Sequence, residues 1–129
     1  MEIIFLTVEE VLDLHQKQVE DFGGDAGVRD LGLLQSAVAM AAGGFGGEFL
    51  HEFPHGMAAA YLFHIAANHP FVDGNKRTGL DAALTFLEMN GVTLEADHGA
   101  AGDLALGIAS GKLDKAAVVA FFKKHVRPA

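Results

Sequence analysis

The sequence contains no cysteine, no tryptophan and no long hydrophobic run. Without cysteine, its 129 residues can hold neither a disulfide framework nor a thiolate zinc site, and a reducing compartment is the natural setting. No apolar run approaches the roughly 18 residues that a membrane span needs. The N-terminus also carries acid where a secretory signal would carry base. These absences predict a soluble cytoplasmic protein that is not exported.

Basic residues are scarce as well. Nine Lys and Arg face seventeen Asp and Glu, which gives a formal net charge of −8. Nucleic-acid binding depends on many cationic contacts to phosphate, so this balance argues against a nucleic-acid partner. Lys76 with Arg77, and Lys123 and Lys124 with Arg127, are the local exceptions. The second group falls near the end of a predicted helix, where cations complement the helix dipole.

Half of the residues are apolar, and their spacing is typical of amphipathic helices. At this length we expect one domain over residues 1–129. Helix-capping residues precede several of the periodic segments. We therefore predict an all-α fold, a compact helical bundle with helices over about 8–22, from 31, over 57–68 and 76–89, from 98 to near Gly111, and from 115 to near Val126. Only residues 92–94 resemble a strand, and one strand makes no sheet.

Residues 43–55 interrupt the helical pattern. This segment combines four glycines, a proline and three phenylalanines, which favours a mobile flap over a regular element. Its apolar residues are candidates to lie over a functional site. His51 and His55 in the flap could approach a ligand there.

Residues 69–78, His-Pro-Phe-Val-Asp-Gly-Asn-Lys-Arg-Thr, lie between two predicted helices. Gly74 and Asn75 tolerate the tight, left-handed backbone that turns successive N–H groups inward as an anion nest. The helix that follows adds the positive end of its dipole. Arg77 can offer paired donors to phosphate oxygens, and Lys76 adds a compact charge. The pattern predicts a phosphate-binding loop.

Two further residues of the loop suit catalysis on a phosphate. Asp73 would repel a phosphate unless a divalent ion lay between them, which makes it a candidate Mg²⁺ ligand. His69 has a reference pKa of about 6.5 and can accept a proton near neutral pH. The ordinary alternative is a solvated turn at a helix start. Six specified positions would match by chance in roughly one chain of this length in a million, which disfavours that alternative.

The loop resembles the Fic motif, H-P-F-x-D/E-G-N-G-R-x-x-R, and more closely its Doc variant, in which Lys follows the Asn. The resemblance to death-on-curing toxins extends to residues 23–37, to the T-G-L-D-A-A-L-T-F-L-E-M-N-G helix and to residues 109–113. It implies a helical Fic/Doc fold and the use of ATP with Mg²⁺. It also implies nucleotide contacts from Phe71, Gly74, Asn75, Lys76, Arg77 and Thr78, a metal ligand in Asp73, and catalytic roles for His69, Lys76 and Arg77.

Two departures from the Fic motif bear on the group transferred. Lys76 replaces its second Gly, and Leu80 stands where its second Arg would hold the terminal phosphates. Fic enzymes commonly transfer AMP to a protein hydroxyl, whereas Doc-type toxins transfer a phosphate, with a translation elongation factor as the expected target. The departures favour phosphoryl transfer, which depends mainly on positioning and charge stabilisation. AMP transfer and a catalytically silent module bound by an antitoxin are the alternatives.

The resemblance also implies a protein partner. Fic proteins are often restrained by an S/T-x-x-x-E-G/N segment, and the sequence contains none. We therefore expect a separate antitoxin whose segment folds on binding.

Three further histidines have ordinary explanations. His15 and His64 lie inside predicted helices, and His125 complements a helix dipole. A histidine metal site is disfavoured, because no H-x-x-x-H pair has a carboxylate general base beside it.

Overall fold

The computed structural model describes residues 2–129, with the exception of the His98 side chain, and Met1 lies outside the described residues. Its main elements are six helices: α1 (Val8–Phe22), α2 (Leu31–Met40), α3 (His55–Asn68), α4 (Asn75–Met89), α5 (His98–Ala109) and α6 (Lys115–His125). They confirm the predicted all-α class. None of the helices within residues 2–129 combines the length and apolar character needed to cross a membrane.

Local capping chemistry sets where these helices begin. Thr7 and Glu10 form a reciprocal capping box at the start of α1. Asp30, Asp97 and Asp114 each accept a hydrogen bond from the backbone N–H three residues later, at 3.0, 2.6 and 2.9 Å. Each cap satisfies a donor that the helix itself leaves unpaired, so the predicted starts are confirmed.

Helix α3 forms the centre of the fold and packs against α2, α4, α5 and α6. Every residue from 55 to 62 is buried, whereas a helix at the surface buries only one face. Gly79 of α4 lies against Leu62, where an added Cβ would come within 3.2 Å of the Leu62 carbonyl oxygen. Glycine therefore allows α4 to approach α3 closely, and α4 carries the motif at its N-terminus.

Two small antiparallel pairs differ from the sequence predictions. The segment 43–55 contains a hairpin of β1 (Gly44–Phe45) and β2 (Glu48–Phe49), so the expectation of an irregular flap is corrected. Strand β3 (Val92–Leu94) pairs with β4 (Val126–Pro128) at the C-terminus. The expectation that residues 92–94 would find no partner was wrong, because packing of α6 brings the chain end alongside them.

Candidate active site

The motif loop leaves α3 at His69, whose backbone is left-handed with φ 49° and ψ 56°. Such a conformation is uncommon outside glycine, so tertiary contacts must hold it. Arg29 provides them, since its Nε donates to the His69 carbonyl at 2.6 Å and its Nη2 donates to the Asn68 carbonyl at 2.9 Å. The His69 side chain is exposed and makes no hydrogen bond within residues 2–129. It is therefore available to a ligand.

The segment before α2 holds the next part of the loop. Arg29 and Asp30 both donate their backbone N–H groups to the Pro70 carbonyl, at 2.8 and 3.0 Å. The Val72 N–H donates to the Gly27 carbonyl at 3.0 Å. These bonds fix the loop along one side by main-chain contacts, which do not depend on side-chain identity.

Gly74 turns the chain into α4 with φ 79° and ψ 17°. The left-handed backbone expected of this position is confirmed, and there is a second reason for glycine. A Cβ at Gly74 would lie 2.5 Å from the Gln18 Oε1. The left-handed backbone therefore favours glycine here, and a larger residue would also have to displace the end of the Gln18 side chain.

Asn75 differs from the expectation of a left-handed nest residue. It is the first residue of α4, and its side chain is buried. Its Oδ1 accepts from the Phe71 N–H and its Nδ2 donates to the Phe71 carbonyl, both at 2.9 Å. The side-chain amide thus closes the loop on itself, and these bonds occupy its oxygen and one of its N–H groups.

His15 of α1 packs against the motif loop. Its ring is buried and stacks on Phe71, with centroids 3.7 Å apart and an angle of 7° between the planes. Its Nε2 donates to the Asp73 carbonyl at 2.8 Å. His15 is buried, as expected of a packing residue. The structure shows in addition that it packs against the motif loop.

A cavity of about 570 Å³ opens above this loop. It brings together residues from the end of α1, the loop and the first turn of α4. Its lining residues are Gln18, Phe22, Gly23, Gly24, His69, Val72, Asp73, Gly74, Asn75, Lys76 and Arg77. The base candidate, the metal-ligand candidate and both cations of the motif therefore share one cavity.

Asp73 is exposed in this cavity, and one of its oxygens is engaged. Its Oδ2 accepts from the Asp25 N–H at 3.0 Å. Among residues 2–97 and 99–129, no group of three His, Cys, Asp or Glu could hold a metal ion. A single carboxylate fits Mg²⁺ in the form that keeps most of its waters and is also bound by substrate phosphates. The role of Asp73 as a metal ligand remains a prediction.

The start of α4 is suited to bind an anion. Gly74 supplies no side-chain cap, and the first turn contains no acidic residue. The positive end of the helix dipole therefore meets the cavity together with Lys76 and Arg77, both of which are exposed. Within residues 2–129, neither cation forms an ion pair.

Two of the predicted nucleotide-contacting residues do not line the cavity. Phe71 and Thr78 are buried and lie outside the cavity lining. Phe71 instead supports the loop through its stack with His15. The Thr78 Oγ1 is buried and has no hydrogen-bond partner within residues 2–129. The side chains of both residues therefore belong to the framework of the site.

The flap histidines lie away from the cavity. Neither His51 nor His55 lines it, and neither do other residues of the segment 43–55. His55 is buried at the start of α3, with its Nε2 3.5 Å from the Glu52 Oε2. Burial and, to a lesser extent, the charge of Lys115 lower the pKa of His51. In this structure the flap does not cover the motif loop.

His64 lies in α3 and is tied to α6. The Lys115 Nζ lies 2.9 Å from the His64 Nε2, and an ammonium can only donate, so the imidazole accepts and is neutral. Burial, with the Lys115 and His51 charges, lowers the pKa of His64 to about 4. His125 stays outside the site, since its ring contacts Phe121 with centroids 4.5 Å apart.

The sequence profile of the Fic/DOC family matches residues 5–87, which include α1, the motif loop and most of α4. The chain belongs to the Fic/DOC family. The match covers every residue that lines the cavity. Family membership therefore rests on the part of the chain that builds the candidate site.

Two curated relatives extend the comparison. The chain is 50% identical over 76 residues to a protein named Toxin Doc from Mycolicibacterium smegmatis, an alignment that covers 59% of this chain and 58% of that protein. It is 32% identical over 113 residues to a protein named Protein kinase doc from Escherichia phage P1, which covers 88% of both chains. The second alignment extends beyond the profile match into the C-terminal helices of this Fic/DOC fold.

Sequence reasoning missed several residues of the site. Gln18 and Phe22 line the cavity from α1, Arg29 holds the backbone of His69, and Asp25 holds the Asp73 carboxylate. The run around Arg29 resembled death-on-curing toxins, which was a usable signal. For Gln18 and Phe22 the only signal was the i, i+4 spacing on one face of α1.

Proposed function

We propose that this protein is a Doc-type toxin that transfers the γ-phosphate of ATP to a hydroxyl of a target protein. The observation that carries the proposal is the shared cavity of His69, Asp73, Lys76 and Arg77 at an uncapped helix N-terminus. The names of both relatives support it, since one is called a toxin and the other a protein kinase.

The chemistry requires one proton acceptor and several charge-stabilising groups. The exposed imidazole of His69 accepts the proton of the target hydroxyl, whose oxygen attacks the γ-phosphorus. The bond to the β–γ bridging oxygen breaks, and ADP leaves with the electron pair. The first-turn N–H groups of α4, with Lys76 and Arg77, stabilise the charge on the phosphoryl oxygens.

Asp73 would hold Mg²⁺ together with the phosphates and water. The ion would supply charge neutralisation between the carboxylate and the nucleotide. Asp25 orients the carboxylate through its N–H, which leaves the second oxygen of Asp73 for this role.

The alternative activity is AMP transfer to the same hydroxyl. Leu80 weighs against it, because this side chain packs against the core and lies outside the cavity lining. The position that carries a second phosphate-holding Arg in the Fic motif therefore presents an alkyl group that cannot bind phosphate.

The proposal also includes partners. We expect the target to be a translation elongation factor, so that transfer halts translation in the cytoplasm, and we expect a cognate antitoxin to restrain the toxin. The antitoxin has support from the toxin name of the mycobacterial relative. The elongation factor follows from the resemblance to Doc-type toxins alone.

Transfer of label from ATP into protein of a cell extract tests these alternatives. Label from the γ-position, with none from the α-position, is the expected result, and the modified protein should gain the mass of a phosphate. Label from the α-position would replace phosphoryl transfer by AMP transfer. Label from neither would favour a silent binding module.

A further inference from the structure

Phe22 is the last residue of α1, and the residue remains 65% exposed. Phe45 is more exposed still, at 94%, so exposure alone assigns no role to Phe22, and its surroundings decide. The ring lines the cavity beside Gly23 and Gly24, where α1 ends. It therefore stands at the edge of the candidate active site.

The ring supports Arg77. The Cζ of the Arg77 guanidinium lies 4.1 Å from the centroid of the Phe22 ring, within the range of a cation–π contact. The contact joins the last residue of α1 to the first turn of α4.

Among the residues that the structure describes, the Phe22 ring is in contact with the Arg77 guanidinium, and no hydrogen bond or ion pair to Arg77 competes with that contact. Asp81, one turn further along α4, is near enough for its charge to interact with Arg77 but forms no ion pair with it.

The type of contact matters for phosphate binding. A carboxylate partner would neutralise Arg77 and occupy the N–H groups at its edge. An aromatic ring instead engages the face of the guanidinium and leaves its five N–H donors for another ligand. A guanidinium held in this way loses less freedom when a phosphate binds.

We propose that Phe22 is a positioning residue, which holds the guanidinium of Arg77 by its face so that the N–H edge is presented to the transferred phosphate. This inference rests on the proposed phosphoryl transfer, and it deepens the role of Arg77 in that reaction. The chemistry that Phe22 supplies is the negative face of a ring, so any aromatic side chain should serve and an aliphatic one should not.

The test compares Phe22→Leu with Phe22→Tyr. Because residue 22 is largely exposed, the wild-type protein and both variants should have the same melting temperature. Phe22→Leu should lower kcat roughly 3- to 10-fold with little change in KM, whereas Phe22→Tyr should keep kcat within about twofold. Leu106→Ala is the matched control, since Leu106 is 56% exposed on α5 and lies outside the cavity lining.

Two further arms separate positioning from other roles. In an Arg77→Ala background, Phe22→Leu should have no additional effect, because the group that it positions is gone. Binding of ATP and of inorganic tripolyphosphate, each with Mg²⁺, should change little in Phe22→Leu, and by the same factor for both ligands. A loss confined to ATP would mean that the ring stacks on the base, and this would overturn the inference.

A readout without nucleotide tests the contact itself. The Arg77 side-chain NMR signals should be shifted upfield by the ring in the wild-type protein and in Phe22→Tyr, and should move downfield in Phe22→Leu. Unchanged Arg77 signals, or wild-type kcat in Phe22→Leu, would overturn the positioning role alone. Wild-type phosphate binding and transfer in Arg77→Ala would overturn that role together with the proposed function of the cations.

Discussion

Two histidines in the same stretch of chain have opposite surroundings. His64 lies within α3, where burial and the Lys115 ammonium lower its pKa to about 4 and keep the ring neutral. His69 caps the same helix five residues later, exposed in a cavity and without a side-chain hydrogen bond within residues 2–129. Residue type is therefore a weak guide to role. Burial and partners distinguish a structural imidazole from one that is accessible to a ligand.

The same contrast extends to the groups around each ring. Near His64, the ammonium of Lys115 is paired with the imidazole and joins α6 to α3. Around His69, Lys76 and Arg77 face the cavity without ion pairs in the described part of the chain. Unpaired like charges cost stability, so their concentration at one end of α4 is an argument for an anionic ligand.

The largest expected difference is between the transfer rates of two variants, His69→Ala and His64→Gln. His69→Ala should lower the transfer rate about 10²- to 10⁴-fold, because the proton acceptor is lost. Its melting temperature should be unchanged, since the side chain is exposed. His64→Gln should instead keep the wild-type rate. Single-turnover transfer of labelled phosphate measures both, and a wild-type rate in His69→Ala would remove this residue from the mechanism.

The cations of the motif should differ in importance. Arg77→Ala should lower the rate roughly 10²-fold, as expected for loss of an oriented donor to the transition state. Lys76→Ala should cost less, because an ammonium acts as a point charge without the paired geometry of a guanidinium. The rates of both variants at saturating ATP provide the comparison. Equal losses would mean that charge alone is sufficient at this end of α4.

Asp73→Asn separates two roles of one side chain: acceptor of the Asp25 N–H bond and expected ligand of Mg²⁺. An amide oxygen can still accept from the Asp25 N–H, so the loop should keep its conformation and its melting temperature. Loss of the charge should weaken Mg²⁺-dependent binding of ATP about tenfold, as expected when a hard cation loses its carboxylate ligand. Calorimetric titration with and without Mg²⁺ measures the effect. Wild-type affinity in both conditions would assign Asp73 a purely structural role.

The smallest effect concerns His64 and pH. Its pKa of about 4 in the folded protein lies below the ordinary value of 6.5. As pH falls between these values, the unfolded chain binds a proton that the folded protein does not, so the free energy of unfolding decreases. His64→Gln should therefore lose less stability than the wild type between pH 7 and pH 5. Urea unfolding at both values measures the difference, and identical losses would contradict the low pKa.

Much of the fold could be predicted from local chemistry. The capping residues Thr7, Asp30, Asp97 and Asp114 act on backbone groups a few residues away, so their effects survive without knowledge of the fold. The hairpin β1–β2 was missed, because glycine-rich sequence is compatible with both a turn and an irregular loop. Strand β4 was missed because its pairing with β3 depends on where α6 ends.

For the site, the sequence alone determined the motif: His69, Asp73, Lys76 and Arg77 fall in one short stretch of chain, from the motif loop into the first turn of α4, so they lie near one another in any compact fold. Tertiary structure alone decided how that loop is held. Arg29 reaches His69 across 40 residues of sequence, His15 reaches Asp73 across 58, and Phe22 meets Arg77 only because α1 packs against α4. The physical reason is range, since capping and turn preferences act between near neighbours, whereas contacts between helices arise only when the core is packed.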